Sequence, residues 1–338
     1  MEVNVKIKLL VATDDNGYAD HLSGFLAEYH ADTIEVSVCR SAERLRELLK
    51  ARKFDAALLE APLIEGVELS SISLPLLLWT GEEKCIDAPE ELKKLHKYQR
   101  ITSIITSVFE QFAKVSKVGC GSDPGKAAVT AVWSPGGGVG KTSVALAFAA
   151  KKAAEGKQAL YLNLEVFSSV PAFFNEKGKS ISTVFEMLEN REGDVKTLIR
   201  GIRRQDGGIA YFCRPDNFDD MNILSADNVS ALATACAGVT DELIVDMSCV
   251  CDERTRRIFE IADKIFIVTD PSLTTQTKLF QFFSQHNVFS GIKGKAVLVA
   301  NKGAVISEPP TDEIIRLPYV QSANASAVYK TLSGSFGA

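Results

Sequence analysis

The chain has 338 residues, 46% of them hydrophobic and 24% charged, with a formal net charge of −5. That length favours two domains, and that composition belongs to a folded globular chain rather than a disordered or fibrous one. The acidic balance excludes a global positive field that would draw the chain to nucleic acid or anionic lipid. Its apolar runs, such as 74–79, are too short to span a membrane.

Strand and helix patterns alternate from the start. Strands are expected at 8–12, 33–38, 55–59, 74–79 and 95–98, with helices at 18–29 and 42–49 between them. A closing helix is expected at 101–115, where Ile101, Ile104, Ile105, Val108, Phe109 and Phe112 fall on one face. The segment KVGCGSDPGK at 117–126 is rich in Gly, Ser and Pro and reads as a linker. A second alternation follows, with strands at 128–133, 159–164, 209–213, 243–246, 264–268 and 296–300, and helices that include 142–154 and 254–262. Alternation of this kind implies parallel sheets covered on both faces. The expectation is therefore two doubly wound α/β domains, 1–116 and 127–338, joined by the linker. The opening MEVNVKIKLLVAT has too short an apolar run for a signal peptide. Seven scattered cysteines fit reduced thiols rather than a disulfide framework, so a cytoplasmic protein is expected.

The strongest motif is SPGGGVGKTS at 134–143, between an apolar strand and an Ala-rich helix. That context suits a phosphate-binding loop. Gly137, Gly138 and Gly140 let the backbone turn its N–H groups toward phosphate oxygens without side-chain clash. The helix that follows adds free N–H groups and the positive end of its dipole. Lys141 should reach the β- and γ-phosphates, the Thr142 hydroxyl should ligate Mg2+, and the Ser143 hydroxyl should bond near the α-phosphate. Asp246, at the end of the strand DELIVD, has the place of an acid that holds magnesium through water.

With these residues the chain resembles the deviant P-loop ATPases of the MinD/ParA family, and within it the pilus-assembly branch called TadZ or CpaE. The stretch DELIVDMSCVCDERTRRIFEIADKIFIVTDPSLTTQTK is similar to that branch from its acid-bearing strand through the next strand. The resemblance implies that Gly136, Gly137, Gly138, Val139, Gly140, Lys141, Thr142 and Ser143 form the nucleotide loop. It implies that Asp246 holds Mg2+ from beyond its direct ligands, and that Glu165 orients the attacking water. It also implies that Asn301 reads the adenine edge, with Pro318 and Tyr319 lining the base. Implied with them are ATP and Mg2+ as cofactors and a homodimer with ATP at its interface. Two departures stand out. The family carries a lysine early in the loop that reaches the partner's phosphates, where this chain has Gly136. Asn163 replaces an acid near the metal. ATP binding with slow hydrolysis is therefore expected, since loss of such a cation costs orders of magnitude in rate.

Residues 1–116 resemble a response-regulator receiver. Asp14 and Asp15 follow its first strand, Thr80 follows the fourth and Lys97 lies near the fifth, but Glu60 stands where the phosphate-accepting Asp would be. The expectation is a degenerate receiver used for protein contacts. Cys249 and Cys251 read as incidental thiols, and Arg254, Arg256 and Arg257 as a solvated helix face. Phe167, Phe173 and Phe174 read as core residues. The C-terminal stretch lacks a basic amphipathic helix that would anchor it to lipid. The resulting functional expectation is an ATP-dependent localisation factor for a tight-adherence (Tad) pilus or secretion machine, concentrated at a cell pole. It would contact that machinery through the front domain, with no specific nucleic acid and no stable membrane insertion. A DNA-partitioning ATPase and a two-component response regulator are the alternatives.

Overall fold

In the computed structural model, residues 6–336 are described except for 32, 82–91, 116–126, 192 and 323. The expected linker at 117–126 lies outside the described residues. By contact, the chain divides into two units, Met1–Ser122 with Glu192–Gly201, and Asp123–Arg191 with Ile202–Ala338.

Among the described residues, the front unit is built on five parallel strands: β1 (Ile7–Ala12), β2 (Ile34–Cys39), β3 (Phe54–Glu60), β4 (Ile72–Trp79) and β5 (Lys93–His96). Their order is β2-β1-β3-β4-β5, the doubly wound order of flavodoxin-like folds. β1 and β3 are central and nearly all apolar (IKLLVA, FDAALLE), because parallel strands covered on both faces need no polar side. One face packs Leu22 and Leu26 of helix Asn16–Tyr29 and Ile104, Val108 and Phe109 of helix Ile101–Val115. The other packs Leu45 and Leu49 of helix Ala42–Ala51. After β3 a single helical turn, Ala61–Ile64, takes the place of a full helix. The segment 192–201 also belongs to this unit. In it the Asp194 N–H donates to the Ala113 carbonyl at 2.8 Å, and the Gly201 carbonyl accepts from the Thr106 hydroxyl.

Among the described residues, the second unit carries eight strands: β6 (Ala128–Trp133), β7 (Ala159–Asn163), β8 (Arg204–Asp206), β9 (Ile209–Tyr211), β10 (Glu242–Asp246), β11 (Lys264–Thr269), β12 (Ala296–Ala300) and β13 (Glu313–Arg316). The order is β13-β12-β11-β6-β10-β7-β9-β8, parallel except for the β8–β9 edge hairpin. β8 and β13 were not foreseen; their sequences, RQD and EIIR, are short and polar because each lies at an edge of the sheet. The chain runs outward from β6 to β7 and β9, returns to β10 beside β6, then crosses to β11 on β6's other side. The carboxyl ends of β6, β10 and β11 therefore flank a point where the winding reverses, the place where open α/β sheets bind ligands. Helix Lys141–Ala154 covers one face with Val144, Ala145, Leu146, Ala147 and Ala149, and Tyr329, Leu332 and Phe336 close over it. Alanine at these positions lets the helix lie close to the strands while keeping high helix propensity.

Candidate functional site

Everything the motif requires gathers at that reversal. Residues 134–140 join β6 to helix Lys141–Ala154. Gly138 (φ 73°) and Gly140 (φ 92°) are left-handed, which curls the loop and explains glycine at both. Gly137 and Gly138 are exposed at the loop's outer turn, whereas Gly136 is buried. Ser134, fully buried, accepts the Gly136 N–H at 3.0 Å and starts the curl. Thr142 and Ser143 open the helix and are half-buried. The Lys141 side chain is buried with its ammonium 3.9 Å from Glu165, which follows β7.

Asp246 ends β10 and has no solvent exposure. Its Oδ2 accepts from the Tyr161 hydroxyl at 2.7 Å and the Asn163 amide at 3.2 Å. Oδ1 is buried with no hydrogen-bond partner among the described residues. Burial pushes its carboxyl up to about 6, and the Glu165 carboxylate adds to that. The Tyr161 and Thr142 hydroxyls and the Lys141 ammonium act in the opposite sense. An orphaned carboxylate oxygen costs free energy unless a ligand completes it. A hydrated divalent cation next to Thr142 would do so, and it would favour the charged form of the carboxyl. The donor set therefore fits Mg2+.

Tyr161 escaped the sequence reading because an aromatic residue inside an apolar strand looks like core. Its ring is core, and burial, together with the Asp246 charge, lifts its hydroxyl well above the usual range, so it stays a proton donor. Asn163 also accepts the Glu165 N–H at 3.3 Å, which ties the segment after β7 to Asp246.

Gly136 has a steric reason to be glycine. A Cβ there would lie 2.9 Å from Thr275 Cγ2, 3.0 Å from Thr275 Oγ1 and 3.3 Å from Val139 Cγ1. The position where the family resemblance places a lysine is thus filled from behind by Thr275 of helix Leu273–Phe283. Asn301, after β12, is buried and its amide donates to the Val139 carbonyl at 2.8 Å, so the residue expected to read adenine also touches the loop itself. Pro318 and Tyr319 follow β13 and are exposed. Phe174 and Phe173 join the core as expected, but Phe167 does not: it is 80% exposed and stacks on Phe218 at 5.8 Å.

The front unit gathers a second set of groups at the carboxyl ends of β1 and β3. Lys97 is buried, 2.7 Å from Glu60 and 3.1 Å from Asp15. Glu60 also accepts the Thr13 hydroxyl at 2.6 Å and the Asp14 N–H at 3.3 Å. Burial acts to lower the Lys97 pKa, but hydrogen bonds to Glu60 and Asp15 outweigh it and hold the group above its ordinary value. Burial also pushes the Tyr18 hydroxyl, beside Lys97, up to about 12. The Asp14 side chain is exposed and Thr80 is half-buried after β4.

No family model matches the sequence, and no curated protein does. Solved structures do match. A ParA-family ATPase from Chlorobium tepidum TLS superposes with a TM-score of 0.52 at 18% identity, over 62% of this chain and 95% of that one. The MinD septum site-determining protein of Pyrococcus horikoshii OT3, complexed with Mg-ADP, gives 0.45 at 11% identity, over 62% and 96%. The MinC:MinD complex of Aquifex aeolicus gives 0.47 at 17%, over 62% and 93%. No described helix is long and apolar enough to cross a membrane. The phosphate loop at the winding reversal and the likeness to the Chlorobium protein lead to one conclusion: this chain carries the parallel α/β fold of the ParA/MinD P-loop ATPases.

Proposed function

We propose that this chain binds Mg-ATP in the 134–143 loop, forms a nucleotide-dependent dimer and acts as a slow ATPase switch that localises a larger assembly. The observation that carries the reading is the pairing of a glycine cradle with a buried carboxylate oxygen left without a partner at Asp246. Mg2+, when bound, would bridge and neutralise phosphate charge. Thr142 would hold it directly and Asp246 through water, Lys141 would bind the terminal phosphates, and Glu165 would orient a water. Asn301 with Pro318 and Tyr319 would line the base.

A dimer is supported by large apolar residues exposed in the segments that follow β7, β10, β11 and β12: Phe167, Val250, Leu273 and Val305. Large apolar side chains left exposed near a polar site suit a contact surface. Slow turnover follows from Gly136, which brings no charge to the loop. The basic cluster gives little support to DNA binding. Arg254 pairs with Asp252 and donates to the Met221 carbonyl, and Arg257 pairs with Glu260 and Asp227.

The finer reading is a TadZ/CpaE-like positioning factor for a tight-adherence pilus or secretion machine, cytoplasmic and concentrated at a pole, with a degenerate receiver at its front. Glu60 supports the degenerate receiver, because a glutamate stands after β3 where the phosphate-accepting Asp would be. A small phosphodonor should leave the intact mass of the chain unchanged; a stoichiometric phosphoryl adduct would make this unit a working receiver. Light scattering with and without Mg-ATP, run beside a phosphate-release assay, tests the switch. Dimer formation with Mg-ATP and little release supports it, and a monomer at saturating Mg-ATP refutes it.

A further inference from the structure

Lys302 has φ 54°, and among the described residues only Arg191 is another non-glycine with positive φ. Glycine would adopt this conformation freely, as Gly303 does next to it at φ 72°. A lysine kept in a disfavoured backbone region points to a role for its side chain. The Nζ donates to the Gly138 carbonyl at 2.6 Å and lies 3.3 Å from the Asp270 carboxylate. Its neighbour Asn301 donates to the Val139 carbonyl at 2.8 Å. Two adjacent side chains therefore hold the carbonyls of two consecutive peptides in the phosphate loop.

In a trans peptide the C=O and N–H point in opposite directions. Fixing the Gly138 and Val139 carbonyls against the 301–302 turn therefore turns the Val139 and Gly140 N–H groups away from that turn, toward the loop's interior. An ammonium on a carbonyl also polarises the peptide and strengthens its N–H as a donor. The approach is close: a Cβ at Gly140 would lie 2.5 Å from Asn301 Nδ2. Asp270 anchors the ammonium from the other side, and its own carboxyl is held below the usual range. Burial opposes that shift, but Ser272 hydrogen bonds and the Lys302 charge prevail.

We propose that Lys302, with Asn301, is a positioning residue that sets the N–H groups of the phosphate loop for the α- and β-phosphates. The proposal rests on the Mg-ATP reading for its ligand but not for its geometry, so two readouts separate the two. Amide hydrogen exchange is followed on the nucleotide-free full chain, and Mg-ATP and Mg-ADP are titrated into wild type, Lys302→Gly and Lys302→Arg. Glycine suits the backbone at this position, so Lys302→Gly removes the ammonium without adding strain. Lys302→Gly should speed exchange across 136–142 and weaken ATP and ADP alike, by about tenfold, the worth of one hydrogen bond. Lys302→Arg should stay near wild type. Unchanged exchange or unchanged affinities would overturn the proposal. A loss for ATP alone would also overturn it, since Lys302 would then act on the γ-phosphate. If wild type bound neither nucleotide while exchange still rose in Lys302→Gly, the bracing role would stand and the Mg-ATP reading would fall.

Discussion

Gly136→Ala tests how tightly the phosphate loop is packed. The added methyl would meet Thr275 Cγ2 at 2.9 Å and Oγ1 at 3.0 Å, with Val139 Cγ1 at 3.3 Å. Thr275 cannot rotate away without loss, because it is buried and its hydroxyl lies 2.9 Å from Ser272 Oγ, itself bonded to Asp270. Overpacking of this kind costs about 1–3 kcal/mol, and breaking the Ser272 contact adds about 1 kcal/mol. Buried Trp133 reports the unit by fluorescence, and a Trp79→Phe background removes the chain's other tryptophan. Denaturant unfolding should then show Gly136→Ala destabilised by about 2 kcal/mol. Thr275→Ala should relieve it, so that the double variant is less destabilised than the two single effects added, with a coupling of about 1 kcal/mol or more. Gly136→Lys should be at least as destabilised as Gly136→Ala. Additive effects, or a neutral Gly136→Ala, would refute the packing argument, and Gly136 would then be free to mutate to lysine.

Three further outcomes follow from the same geometry. The Asp246 carboxyl lies higher in the folded chain, about 6, than its ordinary 3.8. The folded state therefore binds more protons between those values, and this group's contribution to stability falls as pH rises through them, by about 3 kcal/mol. Asp246→Asn escapes that loss; nucleotide-free, it should melt higher than wild type at pH 7 and lose the advantage near pH 4, while Mg-nucleotide binds it more weakly. Tyr161→Phe should cost about 1–3 kcal/mol by leaving Asp246 Oδ2 short of a donor, and nucleotide affinity should need more Mg2+; an unchanged Mg2+ titration would remove Tyr161 from the site. In the front unit, Lys97→Met leaves Glu60 buried without its cation and should cost about 3–5 kcal/mol. Adding Glu60→Gln should recover part of this, and a melt showing no recovery would deny the pairing.

Much of this was legible in the sequence because it is local. The tight loop at 134–140 declares itself through glycine spacing, and the helix Ile101–Val115 through one apolar face. Buried parallel strands such as ELIVD and AVLVA carry apolar runs, so their order along the chain could be read directly. The remainder depends on contacts between distant positions. Thr275 behind Gly136, Lys302 on Gly138 and Tyr161 on Asp246 are each unremarkable residues until the sheet order brings them together. The polar edge strands β8 and β13 carry no hydrophobic period, and the placing of 192–201 with the front unit leaves no mark in composition. Phe167 shows the reverse limit: an aromatic residue beside two core phenylalanines gives no sign that it alone faces solvent.

The central claim is that the 134–143 loop holds the phosphates of ATP, with the buried Lys141 as their cation. Calorimetric titration of Mg-ATP into the full chain and into Lys141→Ala measures this most directly. Saturable binding of one nucleotide per chain is expected in wild type, with a loss of at least about tenfold in the variant, the worth of one charge-assisted bond. Equal affinity in the two proteins, or no heat in either, would contradict it.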